Sequence, residues 1–145
     1  MKELTKQTNE LGINCKAIYF NYWAECAKTI EFSDNEQSLN IGYRNPFAVI
    51  ALRKLFKSEL VEYSSLIVHA HITWAVFFVP LACLGLPVKL VLTQHNITTK
   101  VRNLYFFKYF ARVFYNRYNS IIAITEGVKE NLLDWLGSSL YSKVT

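Results

Sequence analysis

Three histidines, His69, His71 and His95, are the residues of this sequence best placed to do chemistry. His69 and His71 close the apolar run Leu66-Ile67-Val68. His95 follows Leu90-Val91-Leu92-Thr93-Gln94. An imidazole both donates and accepts hydrogen bonds near neutral pH, so it can orient a ligand hydroxyl or exchange a proton. His69 and His71 are two apart on one strand and therefore project from the same face. Each has an alternative reading: His95 as a loop histidine that caps the next helix, and His69 as a buried histidine with a backbone partner. His71 stands between the two. The three could form a metal site on paper, but no acid or thiol has ligand spacing beside them, and no metal is expected. The sequence offers no Ser-His-Asp or Cys-His grouping and no close pair of carboxylates at a strand end.

These residues need a frame to position them. Ser65–His71, Val88–Asn96 and Ser120–Glu126 read as strands, each followed by a helix. Their centres lie about 25 and about 30 residues apart, close to the length of one βαβ unit. Their apolar cores run without alternation, as in parallel strands buried on both faces. In an open parallel sheet the ligand crevice lies at the carboxyl ends of the strands, where the histidines gather. The expected fold is α/β: one Rossmann-like, three-layer domain with a mostly parallel sheet of four to six strands and helices on both faces.

Upstream, Lys2–Leu11 reads as a helix ended by Gly12, then Asn14–Asn21 as a strand. Tyr22–Arg44 is irregular, with Ser38–Ile41 as a possible short strand. Pro46 opens a helix whose Phe47, Ile50, Ala51 and Leu55 are expected inside, with Arg53, Lys54 and Lys57 in water. The helix between the first two histidine-bearing strands, Trp74 to about Leu84, carries Pro80 in its middle, a local cost the sequence does not explain. Its uncharged surroundings, Ile72–Val88, are at the lower limit of about 17 residues for crossing a bilayer; Gly85 and Pro87 favour a buried helix and a turn instead. Gly127–Leu136 is the last helix, and Tyr141–Thr145 begins to look extended.

The helix Lys100–Tyr118 is unusual. It bears Lys100, Arg102, Lys108, Arg112 and Arg117 and no acid, which matches the net charge of +5 of the whole chain. It is also crowded with Tyr and Phe. Counting 100° per residue puts Lys108, Arg112 and Asn116 on one side. Such a face suits an anionic membrane surface, reached through Lys108 and Arg112, as well as plain solvent. Exposed strand aromatics with Gly-rich spacing are missing, so nucleic acid is not expected as a partner.

Composition is globular, at 52% hydrophobic and 19% charged, which excludes a disordered chain. Cys15, Cys26 and Cys83 are odd in number and widely spaced, which favours a reducing compartment. Met1–Glu10 has no apolar segment behind it and is not a signal peptide. No G-x-G-x-x-G loop appears, so a dinucleotide cofactor has no support.

Three stretches together resemble the N-terminal domain of glycosyltransferase family 4, retaining enzymes of the GT-B fold. Val68-His69-Ala70-His71 resembles that family's V-H-A-H strand ending. Thr93-Gln94-His95-Asn96 resembles its T-x-H-x loop. Ser120-Ile121-Ile122-Ala123-Ile124-Thr125-Glu126 resembles its I-I-A-V-S-E segment. The resemblance covers Ser65–Gly137, with a weaker match over Lys2–Phe20. It implies that a first strand with a Gly-rich loop, and a C-terminal domain that holds the nucleotide sugar, lie outside this chain. The chain then reads as a fragment, inactive alone.

The resemblance further implies metal-independent transfer of a sugar from a nucleotide donor to a sugar or lipid-linked acceptor, in cytoplasmic assembly of a polysaccharide or glycolipid. It implies a catalytic role for His95, in contact with sugar hydroxyls. His71, Asn96, Lys100 and Arg102 are the substrate-binding candidates; the two cations could hold an anionic acceptor or stay solvated. Glu126 is explained by the helix dipole. The alternative function is a non-enzymatic, basic membrane-surface module, peripheral at the inner face of the membrane.

Overall fold

The computed structural model describes residues 2–20, 35–42, 45–71, 74–96 and 105–145. It divides into two compact units, residues 1–51 and 52–145. The first holds α1 (Lys2–Glu10), β1 (Ala17–Tyr19) and β2 (Glu36–Ser38). Asn9 closes the turn after α1 with two bonds to Cys15: the Cys15 N–H donates to Asn9 Oδ1 at 2.8 Å, and Asn9 Nδ2 donates to the Cys15 carbonyl at 3.2 Å. Gly12 takes φ +78° there, as the expected helix stop requires. β1 and β2 pair in parallel, Ala17 with Glu36. The short strand expected at Ser38–Ile41 lies slightly earlier, because Asn40 at φ 52° turns the chain out of extended geometry.

α2 (Phe47–Glu62) begins in the first unit and ends in the second. Its buried positions are Ala48, Leu52 and Phe56, one step round from those expected, and Phe47 and Ile50 are exposed. Its first six residues, Phe47–Leu52, are all apolar, so that part of the sequence sets no unique phase. Arg53 is not in open water: its Nη1 donates to the Ala82 and Leu84 carbonyls at 2.9 and 2.7 Å.

The second unit is built on β3 (Leu66–Ala70), α3 (Ala75–Ala82), β4 (Val88–Gln94), α4 (Tyr105–Arg117), β5 (Ser120–Ala123) and α5 (Glu126–Leu136). Of the extended segment expected over Tyr141–Thr145, a 3₁₀ helix over Ser138–Lys143 takes the first part, and Val144 is extended. The three strands are parallel, in the order β3-β4-β5. Val144 bridges Ile121 in parallel and adds to the β5 edge. The expected α/β, Rossmann-like class is therefore present, with its parallel strands in two sheets among the described residues.

Both crossovers run the same way across the sheet. A right-handed hand then puts α3 and α4 on one face, and α3 packs on α4, α4 on α5. Leu90, Leu92, Ile121 and Ala70 bury that face. Burial on both faces holds only for the end of β4, at Leu92, Thr93 and Gln94. β3 and β5 alternate instead, leaving Ile67, His69 and Ile122 exposed.

Pro80 sits inside α3 and is fully buried. Its missing N–H would have served the carbonyl of Val76. The Tyr118 hydroxyl donates to that carbonyl at 3.2 Å, and to the Ala75 carbonyl at 3.2 Å. Burial first, with Tyr115 and Cys83 adding to it, pushes the Tyr118 hydroxyl pKa far up, so it stays a donor. The proline's cost is thus met from α4's end of the chain. Cys83 is buried, which pushes its thiol up to about 12 and leaves it an inert packing residue. No helix among the described residues is long and apolar enough to cross a membrane.

Candidate active site

β3 and β4 are in parallel register, His69 beside Val91 and Ala70 beside Leu92. With side chains alternating, His69 and His71 lie on the face opposite α3 and α4, as do Thr93 and His95. The sheet brings these four to one carboxyl edge. The His69 and His71 rings are 4.1 Å apart, tilted 36°. The His71 and His95 rings are 5.8 Å apart, tilted 34°.

His69 Nε2 and Thr93 Oγ1 share a hydrogen bond of 2.7 Å, with the proton on either partner according to the tautomer. His69 is exposed and its partner is a side chain, not the buried histidine with a backbone partner that the sequence suggested. The reason is that β3 alternates in burial, and His69 falls on one of its more exposed positions. Thr93 was not among the expected site residues, yet its signal was present: it stands two before His95, on the same face of one strand.

His71 Nε2 is buried and has no hydrogen-bond partner among the described residues. Burial, then the neighbouring His69 and His95, pushes the His71 pKa down to about 4. His69 is lowered too, by burial and then by His95. At neutral pH, His71 is therefore an uncharged imidazole with one nitrogen unspent. Buried polar atoms are almost always paired, so an unpaired one marks this cluster as a candidate site. His95 and Asn96 are exposed at the mouth of the cluster. Among the described residues no group of three His, Cys, Asp or Glu side chains could hold a metal ion.

Of the other sequence candidates, Lys100 and Arg102 lie outside the described residues. Lys108 is half-buried on α4. Arg112 is turned toward the carboxyl end of α5, where a β-carbon placed on Gly137 would lie 3.7 Å from its Nη2. That is a place where a cation is favoured by the helix dipole. The exposed α4 residues include the apolar Tyr109, Phe110 and Val113 together with Asn116 and Arg117. Glu126 opens α5, exposed, 3.5 Å from Lys129 Nζ, while Thr125 caps the helix by accepting from the Val128 N–H at 3.3 Å. That agrees with a dipole role for Glu126.

The family model described as Glycosyltransferase Family 4 matches residues 2–143. No curated protein matches the chain.

Proposed function

The chain belongs to glycosyltransferase family 4, and from that premise we propose that it is the acceptor-binding half of a retaining enzyme that takes a sugar from a nucleotide donor. The observation that carries this is the histidine cluster at the sheet's carboxyl edge, with His71 Nε2 buried and unpartnered among the described residues. Hydroxyl-rich ligands match neutral imidazoles, which take and give hydrogen bonds without the cost of a buried charge. In this reading His95, exposed beside His71, meets the sugar hydroxyls at the reacting centre. His71 and Asn96 hold the acceptor, and Lys100 and Arg102 hold an acceptor phosphate. The nucleotide belongs to a second domain that closes over this edge, and the transfer needs no metal.

A lipid-linked acceptor in polysaccharide or glycolipid assembly fits the same chain. The exposed Tyr109, Phe110 and Val113 of α4 stand with Lys108 and Arg117, and the helix has no acid. Such a face suits the inner, anionic surface of a membrane, with aromatics at headgroup level and cations on the phosphates. A purely membrane-binding role would leave the histidine cluster without purpose, so transfer is the preferred reading.

The test is transfer of labelled sugar with the nucleotide-sugar domain supplied. His95→Ala is expected to lower the rate on the order of 10²-fold, the usual loss for one positioned donor. His69→Ala should have a far smaller effect per folded molecule. A silent His95→Ala in a folded protein would sink the assignment, and a product of inverted anomeric configuration would sink the retaining mechanism.

A further inference from the structure

Gln94 ends β4 and is a polar side chain only 7% exposed, on the face turned toward α4. Its amide is used at both ends. The Tyr115 hydroxyl donates to Gln94 Oε1 at 3.2 Å, and Gln94 Nε2 donates to the Asn96 carbonyl at 3.1 Å. Only this orientation serves both neighbours, since the reverse would set the amide oxygen against a carbonyl oxygen. Tyr115 is itself buried, edge-on to Trp135 with ring centroids 6.1 Å apart. The backbone is held as well: the Ile124 N–H donates to the Gln94 carbonyl at 3.4 Å.

The segment so tethered is the turn that carries His95. We propose that Tyr115 and Gln94 are positioning residues that hold the His95–Asn96 turn from the helix side of the sheet, and so keep the His95 ring beside His71. β3 pairs with β4 only as far as Leu92, so β5 alone pairs with the end of β4 at Thr93 and Gln94. Here the amide bridges across His95 to the next carbonyl, so the turn's backbone is fixed at both sides of the histidine. α4 follows that turn in sequence, so the helix that leaves the site also braces it. The proposal rests on His95 being the working residue of the cluster, but its test does not need transfer activity.

The chain contains three histidines. Histidine-labelled 145-residue chain therefore yields three ring signals, assigned by single His→Gln substitutions. The two variants are Tyr115→Phe, which keeps the ring, and Gln94→Met, which keeps the length. The expected result is a shift of the His95 signal and loss of its ring-to-ring cross-peak with His71. The His69 signal, held by Thr93, and the His69–His71 cross-peak should stay. Unchanged signals in both variants would overturn the proposal. So would a joint movement of all three, which marks general loosening and not control of one turn. Should Tyr115→Phe fail to fold, Gln94→Met alone decides, because it leaves α4 unaltered. If the wild type shows the cross-peak and the variants lose it, while the wild type with the nucleotide-sugar domain supplied transfers no sugar, the enzymatic reading is refuted and the brace stands.

Discussion

Replacing Tyr118 by Phe removes one hydroxyl from a fully buried ring and nothing else. The hydroxyl serves two carbonyls, and they are not equal. Ala75 has the N–H of Val79 within the helical pattern, whereas Val76 would bond to residue 80, which is proline. The variant therefore leaves the Val76 carbonyl buried with no donor, at about 1–3 kcal/mol. For about 2 kcal/mol, a domain of this size loses roughly 4–8 °C in Tm. Pro80→Ala returns an N–H to that carbonyl. In its background the same Tyr118→Phe change should cost only about 0.5–1 kcal/mol, the net value of one ordinary bond. The coupling across the cycle is then about 1 kcal/mol. Urea unfolding of the wild type, both single variants and the double variant measures it, given equal slopes. An equal cost in both backgrounds would refute the idea that Tyr118 answers for the proline.

Acid should weaken the fold through His71. Its folded pKa of about 4 lies below the ordinary 6.5, so the unfolded chain binds more protons between those values. Stability is expected to be full above about pH 6.5 and to fall toward pH 4; His71→Gln should flatten that slope in urea titrations at several pH values, and an unchanged slope would refute the assignment. Vesicle co-sedimentation should show binding that needs anionic lipid, weakens with salt, and falls when Lys108 becomes Glu or Phe110 becomes Ser; equal binding to neutral vesicles would remove the electrostatic part of the argument. Transfer with the nucleotide-sugar domain supplied should survive a chelator unchanged, and loss restored by added divalent ion would overturn metal independence.

By itself the sequence determined the local rhythm: strand, helix, strand, helix, with polar residues at the strand ends. Apolar runs, turn glycines and side-chain alternation act over a few residues, so they are legible without a fold. The same alternation put His69 and His71 on one face, and their rings do lie together. The phase of α2 was not legible, because its first six residues, Phe47–Leu52, are all apolar and are oriented only by what they meet. Arg53 finds its carbonyls 29 and 31 positions on, Pro80's missing bond is answered from Tyr118, and Gln94 meets Tyr115 21 positions away. Each of these is a polar group placed where water cannot reach or is half excluded. Its partner is set by which helix covers which strand, and no periodicity along the chain records that.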